Sequence, residues 1–142
     1  GTAVSAFSLH PQLAADTHVV GELALARVLL MNDARFPWLV LVPRRAGLVE
    51  FLDLDADDAV ALAAEARACA LALRRLYQPD KFNVAALGNV VAQFHLHVVA
   101  RFRSDARWPQ PVWGAPPALP YTHTQAATRL AELRAELRIE AP

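Results

Sequence analysis

The most constraining feature of this chain is an alternation of apolar and reactive side chains over residues 93–101, which are Gln-Phe-His-Leu-His-Val-Val-Ala-Arg. Because successive side chains of a β-strand point to opposite faces, Phe94 falls on one face while Gln93, His95 and His97 fall on the other. On the second face, an amide and two imidazoles follow one another at intervals of roughly 7 Å, the spacing of residues i and i+2. Imidazole acts near neutral pH as nucleophile, base or metal ligand, so this strand is the first place to expect a function.

The composition fits a small protein with one core, and we predict a single domain over residues 1–142. The 14 basic and 14 acidic residues balance, which does not favour a nonspecific nucleic-acid binder. The apolar runs are too short to span a membrane. The one cysteine, Cys69, cannot form an internal disulfide. We therefore expect a cytoplasmic protein with neither nucleic acid nor membrane as its partner.

The first half of the chain predicts both strands and helices. Residues 9–20 could form a short helix, and the apolar runs Ala24–Met31 and Trp38–Val42 predict two neighbouring strands. Asp55 is the expected N-cap of a long alanine-rich helix that reaches about Tyr77. The predicted buried stripe of that helix is Leu62, Ala66, Cys69, Leu73 and Leu76.

The second half adds a hairpin, a loop and a helix. Lys81–Leu87 and Val90–Phe102 predict two strands joined by a turn at residues 88 and 89. Residues 103–121 carry five prolines and two tryptophans, which predicts an irregular loop that docks on something. Residues 124–139 predict a C-terminal helix. The hairpin would lie beside the first pair of strands in an antiparallel sheet.

Three kinds of chemistry suit the polar face of residues 93–99. His-x-His can hold a metal ion, but zinc requires three or four protein ligands and the sequence shows no third. Polar side chains on an edge strand can instead do no more than keep it soluble. The third interpretation is covalent catalysis, in which an imidazole nitrogen attacks phosphorus while neighbouring donors stabilise the developing charge.

Residues 93–99 resemble the signature of the histidine triad (HIT) family, His-x-His-x-His-x-x with apolar x, with glutamine in the first position. The surroundings match too: a strand ending in asparagine at 29–32, a second ending in proline and a basic residue at 39–44, and a helix at 55–77. The resemblance covers about residues 22–114 and implies an α+β fold: an antiparallel sheet of about five strands with helices on one side. More specifically, the chain resembles bacterial HIT hydrolases with a Gln-x-His-x-His triad, whose founding relatives bind purine nucleotides and cleave a phosphorus bond to a nucleoside monophosphate.

The resemblance implies catalytic roles for three residues. His95, in the middle position, would be the nucleophile that forms a covalent nucleotidyl-histidine. His97 would place or protonate the leaving group and support the transferred phosphate. Gln93 takes the first position of the triad, where its amide can exchange hydrogen bonds but cannot carry a positive charge.

The resemblance also implies five substrate-binding residues. Asn32 would lie near the ribose and Asn83 near the phosphate, although turn-forming and strand-end roles suit both asparagines equally well. Gly88 and Asn89 would form the turn whose backbone approaches phosphate. Trp108 would close one side of the cleft or cross a dimer interface, and hydrophobic packing is an equally good account of it.

The chain also departs from the family pattern. Val90 stands where a hydroxyl-bearing residue is usual, and Trp38 stands where the second strand usually begins with histidine. Gln93 and Trp38 could be a matched replacement of two imidazoles. These departures suggest slow catalysis, and restoring the charge with Gln93→His is expected to raise turnover unless Trp38 obstructs the new ring.

The sequence thus predicts hydrolysis or transfer of a nucleotidyl group from a nucleoside phosphoramidate or a dinucleoside polyphosphate, without a cofactor or bound metal. The alternative is a catalytically weak or inactive nucleotide-sensing module. A homodimer is expected from the family, and an alanine-rich helix face at Ala63, Ala66 and Ala70 would allow close approach.

Overall fold

The computed structural model describes residues 6–142, which fold into five strands and three α-helices. The strands are β1 (Thr17–Glu22), β2 (Ala26–Met31), β3 (Trp38–Pro43), β4 (Lys81–Ala85) and β5 (Leu96–Arg101), and the helices are α1 (Pro11–Asp16), α2 (Ala56–Tyr77) and α3 (His123–Leu137), with a short 3-10 helix at Phe51–Asp53. The strands form one antiparallel sheet in the order β1-β2-β3-β5-β4. The predicted α+β fold is therefore confirmed. The single domain over 1–142 stays a prediction, and its first five residues lie outside the described part.

Different elements cover the two faces of the sheet. On one face, Val98 of β5 packs in a core with Leu73 of α2 and residues of α3. On the other face, Val99 packs in a second cluster that includes Leu13 of α1 and side chains from the loops. The side chains of β5 alternate between these two clusters, as its sequence predicts. The long helices thus lie on one side, and the second side is left to loops and the short α1.

The long helix α2 begins and ends where the sequence predicts. The carboxylate of Asp55 caps it by accepting a hydrogen bond from the backbone N–H of Asp58 at 2.8 Å. Ala66 lies in the core at 8% exposure and Ala70 packs against it, whereas Ala63 is exposed, so the three alanines do not form one common face open to a partner. None of the described helices is long and apolar enough to cross a membrane.

The predicted connection between the two strands of the hairpin is wrong. β4 ends at Ala85 and β5 begins only at Leu96, so residues 86–95 form a loop in place of a two-residue turn at 88 and 89. Val90 lies in this loop, is 93% exposed and pairs with no strand within the described residues. Its apolar side chain therefore does not by itself place it in a strand. The predicted helix over 9–20 is also shorter, since residues 17–22 with β-branched Thr17, Val19 and Val20 form β1.

The C-terminal helix α3 packs against β1 on the same side of the sheet as α2. The guanidinium of Arg134 donates hydrogen bonds to the carbonyl oxygens of Val20 at 2.8 Å and Val19 at 3.0 Å. A Cβ added to Gly21 would lie 2.8 Å from the backbone oxygen of Glu140, so glycine is needed for the C-terminal segment to approach so closely. At the opposite edge, β4 pairs with β5 alone within the described residues.

Candidate active site

The two histidines lie where β5 begins, at the wall of a cavity. His97 is the second residue of β5, and His95 directly precedes the strand. Both side chains are nearly buried, and their ring centroids lie 4.9 Å apart. Both residues line the cavity. The alternation in the sequence therefore does bring the two imidazoles to the same side of the sheet.

The ring of His95 is oriented by its own loop. Its Nδ1 atom lies 2.7 Å from the carbonyl oxygen of Gln93. Because a carbonyl oxygen can only accept a hydrogen bond, Nδ1 carries the proton and donates it. In the neutral ring, Nε2 then has a lone pair and no proton. His95 thus has the free nitrogen that a nucleophile requires.

The ring of His97 has the opposite arrangement. The indole Nε1–H of Trp38 donates a hydrogen bond to Nδ1 of His97 at 2.9 Å. An indole N–H can only donate, so the proton of the neutral ring lies on Nε2 of His97. Burial, and to a lesser extent the neighbouring His95, lowers the pKa of His97 to about 3, so the ring is neutral near pH 7. The two histidines therefore offer one bare nitrogen and one N–H donor.

A cavity of about 850 Å³ opens in front of the histidines, a size typical of small-molecule sites. Its walls come from α1, the end of β2, the start of β3, the loop 86–95 and the proline-rich loop. Most of its lining residues are apolar: Leu13, Ala15, Met31, Trp38, Leu87, Val90, Val91, Val112, Trp113, Ala115, Pro116, Ala118 and Pro120. The cavity therefore suits a ligand with a substantial apolar or aromatic surface.

The cavity offers little free positive charge. Arg35 is the one lysine or arginine among the residues that line it. Its guanidinium forms an ion pair with Asp33 at 2.8 Å and donates a hydrogen bond to the carbonyl oxygen of Ala115 at 2.9 Å. Burial alone would raise the pKa of Asp33, but its hydrogen bonds, chiefly from Arg35, lower it, so the carboxylate is charged. Arg35 is thus neutralised before any ligand enters.

Three of the predicted substrate-binding residues line this cavity: Asn32, Gly88 and Asn89. The side-chain oxygen of Asn32 accepts a hydrogen bond from the backbone N–H of Tyr121 at 3.0 Å, which leaves its NH₂ group for a ligand. Gly88 has φ +71°, a backbone conformation that favours glycine. These three residues lie together with His95 and His97, as predicted for a common site.

Gln93, predicted as a catalytic residue, does not line the cavity with its side chain. Its Oε1 accepts a hydrogen bond from the backbone N–H of His10 at 2.8 Å, and its Nε2 donates to the carbonyl oxygen of Ser8 at 2.9 Å. Gln93 and Trp38, suggested as a matched replacement of two imidazoles, are not hydrogen-bonded to each other, because the indole N–H of Trp38 donates to His97. The position of Gln93 in the sequence signature thus does not place its amide beside the two imidazoles.

Asn83 and Trp108 also lie outside the cavity lining, beside the buried Arg101. Arg101 donates to the side-chain oxygen of Asn83 at 2.8 Å, to the carboxylate of Asp105 at 2.8 Å and to the carbonyl oxygen of Gln110 at 2.6 Å. Its guanidinium lies 5.7 Å from the ring centroid of Trp108. The predicted ligand contacts of Asn83 and Trp108 stay predictions, but these residues already have partners within the protein.

The same cluster fixes the charge of Asp105. Burial alone would raise its pKa, but hydrogen bonds from Arg101 and from the backbone N–H groups of Phe102, Arg107 and Trp108 lower it to about 2. Arg101 and Asp105 are thus a buried ion pair that anchors the start of the proline-rich loop.

Sequence reasoning missed several residues of the cavity. The ring centroid of Trp113 lies 5.2 Å from that of His97 and 6.1 Å from that of Trp38. Leu13 and Asp16 of α1 contribute a further wall. The two tryptophans of the proline-rich loop did indicate docking, but nothing in an aperiodic loop distinguishes the one that lines the site from the one that packs beside Arg101.

The described residues offer no group of three or more His, Cys, Asp or Glu side chains that could hold a metal ion. His95 and His97 remain a pair, as the sequence indicates. Each also uses its Nδ1 atom for a hydrogen bond within the protein.

The comparisons with known proteins agree with this geometry. The model of the HIT domain matches residues 12–104. A histidine triad protein from Bradyrhizobium japonicum is 43% identical, with 94% of this chain and 99% of that chain covered and a TM-score of 0.91. A histidine triad protein from Marinobacter aquaeolei is 46% identical over 94% and 98% of the two chains, also with a TM-score of 0.91.

A third histidine triad protein, from Sinorhizobium meliloti, is 39% identical over 92% of this chain and 96% of that chain, with a TM-score of 0.89. The comparison with curated proteins found no match. Since the family model covers the sheet, the long helix and both histidines, and the three relatives match almost from end to end, this chain belongs to the histidine triad family.

Proposed function

We propose that this protein hydrolyses or transfers a nucleotidyl group through a covalent nucleotidyl-histidine at His95. The observation that carries the proposal is the opposite protonation of two neighbouring rings. Nδ1 of His95 donates to the carbonyl oxygen of Gln93, which leaves Nε2 bare, and Nδ1 of His97 accepts from Trp38, which leaves a proton on Nε2. A nucleophile thus lies next to a hydrogen-bond donor.

The reaction has two steps. In the first, the bare Nε2 of His95 attacks the phosphorus of a nucleoside phosphoramidate, a P–N bond forms to His95, and the bond to the amine breaks as the amine takes up a proton from the solvent. In the second, water attacks the same phosphorus, the bond to His95 breaks, and a nucleoside monophosphate and a proton are released. The Nε2–H of His97 donates a hydrogen bond to a phosphoryl oxygen or to the leaving atom in both steps.

Among the two substrate classes, the charge of the cavity favours a phosphoramidate over a dinucleoside polyphosphate. A polyphosphate bridge carries several negative charges, and burying charge without a partner is costly. The one lining arginine, Arg35, is already paired with Asp33, and the ring of His97 is neutral. A phosphoramidate presents a single charged phosphoryl group, which can accept hydrogen bonds from the Nε2–H of His97 and from the backbone near Gly88.

The nucleoside would lie against the wall formed by α1 and the end of β2. Asn32 lies on this wall with a free NH₂ group, and Leu13 and Met31 give it an apolar surface for a base. The preference for purines rests on the family resemblance.

The proposed assembly is a homodimer in the cytoplasm. Its support is the outer edge of β4, which pairs with no further strand within the described residues, together with the exposed apolar side chain of Val84 on that strand. An unpaired sheet edge offers backbone donors and acceptors to a second chain. The buried, unpaired thiol of Cys69 is consistent with a reducing compartment.

The second candidate is a nucleotide-sensing module that turns over slowly or not at all. It is favoured by Gln93, whose amide oxygen and nitrogen each bind a backbone group outside the cavity, and by Val90, which offers no hydroxyl to phosphate. Binding of AMP or GMP without turnover of any phosphoramidate would support this function.

The test of the first candidate is a screen of adenosine and guanosine phosphoramidates and dinucleoside polyphosphates, with His95→Ala as the control. We expect phosphoramidates to be cleaved faster, and a labelled substrate to leave an acid-labile, base-stable adduct on His95. No turnover of any substrate, together with no shift in melting temperature in millimolar AMP or GMP, would exclude the nucleotide interpretation.

A further inference from the structure

The side chain of Gln93 binds the backbone of a distant segment. Its Oε1 accepts from the N–H of His10 at 2.8 Å, and its Nε2 donates to the carbonyl oxygen of Ser8 at 2.9 Å. These two groups are two residues apart and flank Leu9. One carboxamide thus makes the pair of hydrogen bonds that a neighbouring parallel strand would make with such a segment.

The segment bound by Gln93, residues 6–16, is called here the N-terminal arm. It includes α1, whose first turn is capped by Nδ1 of His10, which accepts from the N–H of Gln12 at 3.0 Å. Leu13 of the arm is 4% exposed and packs in the same cluster as Trp38. The residues of the arm that line the cavity are Gln12, Leu13, Ala15 and Asp16.

We propose that Gln93 is a positioning residue that holds the N-terminal arm as the nucleoside-binding wall of the cavity. This inference rests on the proposed function for the identity of the ligand. The backbone carbonyl of Gln93 orients His95, while its side chain fixes the arm, so a single residue joins the nucleophile to the wall against which the nucleoside packs.

The role explains why glutamine replaces histidine at this position. A carboxamide presents a donor and an acceptor side by side, which matches a carbonyl oxygen and an N–H that lie on one side of the arm. A neutral imidazole has its donor and its acceptor on opposite sides of the ring, so it can form a hydrogen bond with only one of these two backbone groups. Gln93 is therefore matched to the arm and does not take the place of a catalytic imidazole.

The first test is amide hydrogen exchange in Gln93→Met, a substitution of similar length that removes both hydrogen bonds. The exchange rate of the His10 amide should rise about tenfold or more relative to wild type, the loss expected for one hydrogen bond. Gln110→Met is the matched control, because the Gln110 side chain is exposed and makes no hydrogen bond within the described residues. Equal exchange at His10 in Gln93→Met and wild type would overturn the proposal.

The second test uses kinetics with a nucleoside phosphoramidate. Gln93→Met should raise KM about tenfold while kcat falls no more than about threefold, because the arm binds the nucleoside and does not touch the reacting atoms. Leu13→Ala should change KM in the same direction, and the double variant should show less than the sum of the two effects, since both act through one wall.

Faster exchange at His10 with an unchanged KM would overturn the assignment of the arm as the nucleoside wall. Exchange does not depend on turnover, so it remains informative if wild type cleaves no substrate. In that case the dissociation constant of AMP replaces KM. The failure of the proposed function and the failure of the Gln93 tether are therefore distinguishable.

Discussion

The two ends of β5 use polar residues in opposite ways. At its beginning, His95 and His97 line a cavity, and each uses one ring nitrogen for a hydrogen bond within the protein while the other nitrogen stays available to a ligand. At its end, Arg101 is 2% exposed and directs its donors to Asn83, Asp105 and a backbone carbonyl. His97 and Arg101 share one face of the same strand, four residues apart.

The difference shows how residues that act on a ligand can be distinguished from residues that stabilise the fold. Groups with unused hydrogen-bonding capacity beside a cavity can act on a ligand, whereas a saturated buried network stabilises the fold. Asn83 and Trp108, which the family pattern associates with the site, lie in the saturated network at the second end. The comparison predicts that substitutions at the first end change activity and substitutions at the second end change stability.

His95→Ala should cause the largest effect. Turnover should fall about ten-thousand-fold or more, because no other group near the phosphorus has a bare imidazole nitrogen. The free energy of unfolding should change by about 1 kcal/mol or less. Steady-state kinetics and urea denaturation of the same preparation measure both quantities. Wild-type turnover in this variant would remove His95 as the nucleophile.

Arg101→Met should lower the free energy of unfolding by about 3 to 5 kcal/mol, because Asp105 is left buried without its counter-ion. The double variant Arg101→Met/Asp105→Asn should recover part of this loss. Arg103→Met is the matched control, since Arg103 is exposed and its side chain makes no ion pair within the described residues. The comparison between the two ends breaks down if Arg101→Met is as stable as Arg103→Met in urea denaturation.

Acid should destabilise the two ends in different pH ranges. The pKa of His97 is lowered to about 3, so the unfolded chain binds a proton below about pH 6.5 that the folded protein excludes. Stability from His97 is therefore complete above that pH and is lost as the pH falls towards 3, by at most about 1.4 kcal/mol for each pH unit. For Asp105, whose pKa is lowered to about 2, the loss begins only below about pH 4.

The measurement is the free energy of unfolding from pH 7 to 4 in wild type and in His97→Gln. The variant should lose less stability over this interval, because it lacks the proton-binding imidazole. Parallel curves for the two proteins would show that His97 does not titrate as its burial requires.

Trp38→Phe should cause the smallest effect. It removes the donor to Nδ1 of His97, which should cost about 1 kcal/mol of stability and allow the proton of His97 to occupy either nitrogen. Trp113→Phe is the control, because it also shortens an indole beside His97, but its buried N–H has no protein partner within the described residues, so no hydrogen bond to His97 is lost. Nitrogen NMR of the histidine rings can detect the tautomers, and an unchanged single tautomer in Trp38→Phe would contradict the assignment.

The sequence predicts the sheet, the long helix and the two histidines because periodic patterns report which side chains share a face. His95, His97 and the stripe of α2 follow directly from such periods. The loop at 86–95 was not predicted because its residues are apolar enough to resemble strands. Whether Val90 faces solvent depends on which strands are available to pair with it, and no local pattern contains that information.

The roles of individual polar residues were harder to predict, since they depend on contacts between distant segments. Gln93 bonds to residues 8 and 10, and Asn83 bonds to Arg101 at the far end of the next strand. These contacts also change the expectation for Gln93→His. Because the imidazole cannot hold both backbone groups of the N-terminal arm, the variant should bind nucleotides more weakly even if it restores a charge.

The unequal edges of the sheet limit how copies of this chain could associate. Arg134 and the C-terminal segment lie against β1, whereas the outer side of β4 carries unpaired backbone groups within the described residues. A sheet with two bare edges could grow by adding copy after copy into a fibre. Two copies paired through β4 about a two-fold axis would form a sheet that ends on both sides in β1, where Arg134 already occupies the carbonyl oxygens of Val19 and Val20. Because such a pairing uses the β4 edge of both copies, an assembly through β4 alone would contain two copies.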